Sequence, residues 1–206
     1  MNEHKILTLS ARITSIIFHP LLIPTIGFLL LFSSGFYFAV IPWSLKRFIL
    51  LVVFLSTCIM PALSIGILSF SPRFDIKMEK GTDRVLPLIL SSISYYMGYL
   101  ILRRVPLFPV YQLFLTASIL VQIALLIISL QWKISAHAAA IGGLVGGFFA
   151  LSFRLQENPI LILATLIFIS GIVGTARLIL EKHTSTQVYA GFLLGILIMS
   201  LVILFI

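Results

Sequence analysis

Residues 177–187 form a short polar segment between two long apolar runs, and several of its side chains can hold or attack an anion. Arg177 and His183 have five residues between them. If a helix begins near His183, Gln187 lies one turn further along the same face, where its amide can orient the imidazole. The alternative is that Arg177, Lys182 and His183 only mark a membrane interface, as basic residues commonly do.

Two further polar segments contain residues of the same chemical types. Lys77 and Arg84 lie in the first, with six residues between them, and Ser135 and His137 lie in the second. Ser135 is suited to cap a helix that begins just after it, which leaves free backbone amides facing any bound anion. Alone, the first segment also fits a solvated charged loop and the second an ordinary capped helix.

The composition indicates an integral membrane protein of one domain, residues 1–206. Of the 206 residues, 60% are hydrophobic and 10% are charged, more apolar surface than a water-soluble core of this size can bury. The net charge of +8 does not indicate nucleic-acid binding, because the basic residues lie scattered at the ends of apolar runs; the lipid bilayer and its anionic headgroups are the predicted partners. No cluster has metal-ligand spacing, so no cofactor or metal is predicted.

The apolar runs predict an all-α, polytopic transmembrane helical bundle of six to seven spans. The first run contains Pro24 and is either a complete or a re-entrant span. In the fifth, small residues recur at every fourth position from Ala138, which favours close approach of another helix. The predicted spans are residues 21–41, 48–70, 85–102, 107–130, 136–153, 159–180 and 184–206.

Counting the spans places all three polar segments on one side of the membrane. Two spans separate residues 71–83 from 133–137, and two more separate those from 177–187. The segments are therefore free to converge between helix ends. Charge does not determine which face of the membrane they lie on. Apart from the candidate site residues, the lysines and arginines divide almost evenly between the two sides.

In order and spacing the segments resemble the type 2 phosphatidic acid phosphatase superfamily, integral membrane lipid phosphatases related to vanadium haloperoxidases. Members carry K-x6-R-P, then P-S-G-H, then S-R-x5-H-x3-D. Both long spacings recur here, within residues 77–187. The corresponding positions are Lys77 and Arg84, Ser135 and His137, and Arg177, His183 and Gln187.

The chain also departs from this pattern, most importantly at Gln187, which replaces an acidic residue. Dolichyl diphosphate phosphatases of the same superfamily have a similar His-Thr-x-x-Gln-Val run, and residues 183–188 read His-Thr-Ser-Thr-Gln-Val. The resemblance therefore extends to a dolichyl-diphosphatase-like third motif. The other departures alter backbone shape or remove one hydrogen bond. Pro87 comes later in the chain than the proline of the pattern, and Ile134, Ala136 and Ala176 replace the pattern's residues at their positions.

The resemblance implies a haloperoxidase-like core and hydrolysis of a phosphomonoester or diphosphate through a phosphohistidine. His183 would be the nucleophile, His137 the acid that protonates the leaving group, and Gln187 the partner that orients His183. The implied substrate is a lipid phosphate or isoprenoid diphosphate, and the implied location is the bacterial inner membrane with the site facing the periplasm. The implied phosphate contacts are Lys77, Arg84, Ser135 and Arg177.

Two alternatives from other classes remain open at this stage. A phosphatase-like protein that binds or transports a lipid phosphate would keep the basic residues but lose turnover, and Gln187 is the feature that raises this possibility. A purely structural membrane protein would have no need for the three segments to converge. The sequence does not specify the lipid or the oligomeric state.

Overall fold

The computed structural model describes residues 3–34, 36, 41–70, 84–105 and 109–206. This part of the chain is helical and contains no strand. A π-helical turn, Leu55–Ile59, joins α3 to α4 without interrupting the helix. The helices are α1 (Glu3–Ile17), α2 (Ile23–Ser33), α3 (Trp43–Phe54), α4 (Met60–Leu68), α5 (Val85–Arg103), α6 (Pro109–Ser129), α7 (Ala136–Leu155), α8 (Ile160–Ile179) and α9 (Ser185–Phe205).

Six helices in the described ranges are long and apolar enough to cross a membrane, which confirms the predicted all-α polytopic bundle. They correspond to the second to seventh predicted spans. Because each of these runs has about 20 apolar residues between polar ends, its length matches the hydrocarbon core. The six are Trp43–Leu68, Val85–Arg103, Val110–Ser129, Ala136–Leu155, Ile160–Ile179 and Ser185–Phe205.

The extent predicted for the first span, residues 21–41, is wrong. Helix α2 has only 11 residues and ends at Ser33, and Ser34 is extended with φ −71° and ψ 154°. A helix of this length is about 16 Å long, roughly half of the hydrocarbon core. The hydroxyl of Ser34 bonds back to the Leu31 carbonyl; such local bonds compete with the helical ladder and favour termination.

An additional helix, α1, precedes the region in which the sequence predicted spans. It is amphipathic and packs mainly on α8, with Ala11 buried. After Ile17 the chain turns through His19 into α2. The side chain of Thr57, at the π-helical turn, donates to the Leu21 carbonyl at 3.3 Å and fixes the start of α2 against the next span.

Helices α7 and α9 form the centre of the bundle, and their backbones approach closely. Gly142 and Gly146 of α7 face the backbone of α9, while Gly191 and Gly195 of α9 face the backbone of α7. The close approach predicted from the small-residue spacing is therefore present. It holds the N-terminal ends of α7 and α9 side by side.

Candidate active site

His183 lies in the turn between α8 and α9, and the start of α9 fixes its surroundings. Thr184 is the N-cap of α9 and forms a capping box with Gln187. In this arrangement the Thr184 amide donates to Oε1 of Gln187 at 3.2 Å. Because the donor is an N–H group, the Gln187 atom facing it must be the amide oxygen. Helix capping therefore orients the Gln187 side chain.

The same Gln187 oxygen contacts the His183 ring. Nδ1 of His183 lies 3.2 Å from Oε1 of Gln187 and 3.3 Å from the backbone carbonyl oxygen of Lys133. Both partners only accept hydrogen bonds, so Nδ1 carries the ring proton in the neutral imidazole. Nε2 then keeps its lone pair, which is the state that a nucleophilic histidine needs.

Backbone contacts join the second polar segment to the third. The Ser135 amide donates to the Gln187 carbonyl oxygen at 3.2 Å. Ser135 is fully buried and is the N-cap of α7, as predicted, because its Oγ accepts a bond from the Ala138 amide at 3.4 Å. The starts of α7 and α9 are thereby linked directly, independently of their glycine contacts.

Arg84 connects the first polar segment to the second. It lies at the N-cap position of α5, and its guanidinium donates to the Ile134 carbonyl oxygen at 3.2 Å. Lys77, the other predicted phosphate contact of this segment, lies outside the described residues. Arg84 therefore approaches the same turn, residues 133–135, that contacts His183.

Arg177 lies in the last turn of α8 and contacts α1. One of its terminal nitrogens, Nη1, donates to the Ser15 hydroxyl at 3.2 Å. Its Nε is buried and makes no hydrogen bond to any residue in the described ranges. A buried N–H of a guanidinium without a partner is costly, and a bound anion would satisfy it.

The two arginines affect the protonation of His183. Burial lowers the pKa of His183 to about 4, and the charges of Arg84 and then Arg177 add to the decrease. Only 8% of the residue is exposed. His183 is therefore neutral at pH 7 in the absence of an anion.

His137 begins the first turn of α7 and faces α1. Its Nε2 lies 3.1 Å from the Ser15 carbonyl oxygen, and because a carbonyl only accepts, Nε2 carries the proton. The ring of His19 meets that of His137 edge-on, with 5.4 Å between ring centroids. Burial lowers the pKa of His19, and the charge of Arg177 lowers it further.

Ser15 and His19 are two residues of this site that the sequence motifs do not predict. Neither belongs to a recognisable motif, because the resemblance begins only at Lys77. One signal was available: counting back through the predicted spans places residues before position 20 on the same side as the three polar segments. The structure brings this N-terminal part to Arg177 and His137.

Residues 127–206 match the PAP2 superfamily. The match supports the superfamily resemblance and includes Ser135, His137, Arg177, His183 and Gln187, but it does not reach the first motif. No match was found among curated proteins or solved structures. The likeness of the third motif to dolichyl diphosphatases stays a prediction.

Proposed function

We propose that this protein is a membrane phosphatase that hydrolyses a lipid phosphate or prenyl diphosphate through a phosphohistidine intermediate on His183. The observation that carries the proposal is the pair of acceptors on Nδ1 of His183, Oε1 of Gln187 and the Lys133 carbonyl. They leave Nε2 unprotonated beside two arginines. The superfamily match suggests phosphatase activity, and the finer chemistry rests on this geometry.

In the first step, Nε2 of His183 attacks phosphorus in line with the leaving oxygen. The N–P bond forms as the P–O bond to the leaving group breaks. Phosphoryl transfer needs mainly positioning and compensation of charge on the equatorial oxygens. Arg84 and Arg177 supply that charge, and Lys77 is proposed as a third cation. Positive charge that develops on the His183 ring is stabilised by the two acceptors at Nδ1.

His137 is proposed to act as an imidazolium, the form that the negative charge of a bound phosphate favours, and to give one of its two ring protons to the leaving oxygen, which leaves the ring neutral. In the second step water attacks phosphorus, the N–P bond breaks and inorganic phosphate is released with His183 neutral again. The proton lost by the attacking water returns to His137, so that the ring alternates as acid and base. Ser135 is proposed to support phosphate binding as the cap of α7, at the positive end of that helix.

The position of the site in the bundle favours a substrate with an apolar chain. The site residues that the structure describes lie at or next to the ends of membrane-spanning helices. A narrow cavity of about 90 Å³ with an almost wholly apolar lining lies next to the first turn of α7; its walls include Pro20, Leu21, Tyr95, Leu125, Ala136 and Ala140. Such a cavity suits part of a lipid chain. A bacterial inner-membrane location with the site facing the periplasm is proposed from the family resemblance alone.

The second candidate function is binding or transport of a lipid phosphate without turnover. The specific observation in its favour is the amide at Gln187, which orients the His183 ring but brings no negative charge to stabilise an imidazolium. Both candidates require anion binding beside Arg84 and Arg177. They differ in whether the bound phosphate is released from its lipid.

Phosphate release by the detergent-purified protein tests the proposal. Prenyl diphosphate, phosphatidic acid and phosphatidylglycerophosphate are supplied with and without a chelator, and vanadate is added as a mimic of the phosphoryl transition state. We expect hydrolysis that survives the chelator, stops with vanadate and is lost in His183→Ala. His4→Ala is the matched control, because His4 is an exposed histidine of α1.

Two results would contradict the phosphatase proposal. Undiminished hydrolysis by a folded His183→Ala variant would exclude the phosphohistidine. Vanadate binding by wild-type protein that hydrolyses none of the lipids would favour the binding function instead.

A further inference from the structure

Ser15 of α1 makes polar contacts with two predicted site residues on two different helices. Its hydroxyl accepts from Nη1 of Arg177 at 3.2 Å, and its backbone carbonyl accepts from Nε2 of His137 at 3.1 Å. The residue is only 8% exposed. Two oxygen atoms of Ser15 therefore lie where the guanidinium and the imidazole direct their protons.

These two contacts have the chemistry expected of a bound substrate. A phosphate oxygen would accept from Arg177, and the leaving oxygen would take the proton of His137. In this structure the Ser15 hydroxyl and carbonyl fulfil both functions. As long as they do, the proton of His137 is directed to a backbone carbonyl and is not available to a leaving group.

The rest of α1 buries few side chains against the bundle. It packs mainly on α8, and an open groove of about 500 Å³ runs between the two helices, lined by residues such as Ser10, Thr14, Gly171 and Thr175. Several large apolar side chains of α1 are exposed, including Ile6, Leu9 and Ile13. A helix with so little buried contact belongs to the part of a protein that opens most easily.

We propose that α1 is a displaceable cover of the phosphate site, with Ser15 in the place of the substrate. This inference rests on the proposed function, because it assigns the same site a closed state. A lipid phosphate must displace Ser15 from Arg177 and His137 before it binds. Its apparent affinity is then the affinity for the open site multiplied by the fraction of molecules in which the site is open.

Replacement of the Ser15 hydroxyl tests this inference. Ser15→Ala removes the bond to Arg177 and should favour the open state. Because a hydrogen bond to a charged group changes an equilibrium by about tenfold or more, we expect the KM for the lipid and the Kd for vanadate each to fall about tenfold. Ser10→Ala is the matched control, because the Ser10 hydroxyl bonds only to the Leu7 carbonyl of its own helix among the described residues.

A KM and a Kd that rise or stay unchanged in Ser15→Ala would contradict the proposal that α1 covers the site. If Ser15 instead stays in place and contacts the bound phosphate, Ser15→Ala raises both constants, and if it has no part in binding, neither constant changes. A second variant, Ser15→Asp, places a carboxylate beside Arg177 and should raise both constants by strengthening the closed state. Failure of Ser15→Asp to weaken vanadate binding would also contradict the proposal.

Hydrogen exchange of the α1 amides gives a readout that needs no turnover. We expect amides of residues 3–17 in the wild-type protein to exchange faster when vanadate is bound, since the cover is displaced. Slower or unchanged exchange would reject the cover. If no lipid phosphate is hydrolysed, the phosphatase proposal fails, while vanadate affinity and hydrogen exchange still decide whether α1 covers the anion site.

Discussion

The Oε1 atom of Gln187 lies 3.2 Å from Nδ1 of His183 and 3.2 Å from the backbone nitrogen of Thr184. One amide oxygen thus completes the cap of α9 and orients the imidazole. The aspartate of the superfamily pattern is also a hydrogen-bond acceptor, on a side chain that is one methylene shorter. Relative to that pattern, Gln187 keeps an acceptor for the His183 ring but lacks the negative charge.

Removal of the Gln187 side chain should therefore reduce turnover. We expect kcat of Gln187→Ala to fall by about 10- to 100-fold, by analogy with residues that orient a metal-binding histidine. Gln187→Glu has the same length and accepts both bonds, so its kcat should equal or exceed that of the wild type. Steady-state kinetics on the best lipid substrate measures both effects.

Loss of the capping box complicates Gln187→Ala, because a lost cap costs about 1 kcal/mol of stability. Thr184→Ala is the control, since it removes the hydroxyl side of the same cap without touching the contact to Nδ1. If Thr184→Ala and Gln187→Ala lose equal activity, the effect of Gln187 is on folding and the orienting function is wrong.

The two arginines should set the acid limit of activity. In the proposed mechanism His183 must be neutral to attack, and its pKa of about 4 places this limit near pH 4 in the protein without substrate. Arg84→Gln removes a positive charge that disfavours protonation. The pKa of His183 should rise toward its ordinary value, and the acid limb of kcat/KM should move to higher pH.

Arg84→Lys provides the matched comparison for the pH profile. Lysine keeps the charge but not the planar fork of the guanidinium. We expect the acid limb of Arg84→Lys to stay near that of the wild type, while its KM rises with that of Arg84→Gln. An acid limb that stays in place in Arg84→Gln would show that the Arg84 charge does not act on His183.

The glycine contacts between α7 and α9 should be essential for stability. A methyl group at Gly195 would overlap the Ala139 carbonyl, a backbone atom that cannot rotate away. Gly195→Ala should cost about 1–3 kcal/mol and lower the midpoint of thermal unfolding in detergent. Gly171→Ala is the control, because no atom in the described ranges lies within 4 Å of the added carbon. It should be neutral or slightly stabilising.

The convergence of the polar segments predicts a labelling pattern across the membrane. In a Cys58→Ser background, single cysteines at exposed Gln131 and Lys182 should react with an impermeant thiol reagent from one side. Cysteines at exposed Arg104 and Glu157, at the opposite helix ends, should react only from the other side. Reaction of positions 131 and 182 from different sides would contradict the common site.

The sequence predicted most of the fold because hydropathy determines where helices cross a membrane. Spans 85–102 and 184–206 correspond closely to Val85–Arg103 and Ser185–Phe205. The extent of the first span was predicted wrongly because hydropathy does not show where a helix ends. Its serines bond to their own backbone and stop α2 after 11 residues, within a segment that is still apolar.

The site was partly predictable for a related reason. Spacing within a motif reflects local geometry, so the position of Gln187 one turn after His183 was sufficient to suggest their contact. Ser15 and His19 reach the site only through the packing of α1 on α8 and the turn before α2. Although α1 is amphipathic, this periodicity does not show which helix it packs against. Lys77 falls outside the described residues, and its function stays a prediction.

The α7–α9 pair has a consequence for how this protein could change its substrate over evolutionary time. The pair holds Ser135, His137 and His183 through contacts between backbones, so their relative positions depend little on side chains elsewhere. Much of the apolar cavity beside them is lined by α5 and α6. Substitutions on those two helices can reshape the cavity while the arrangement of these three side chains is inherited unchanged.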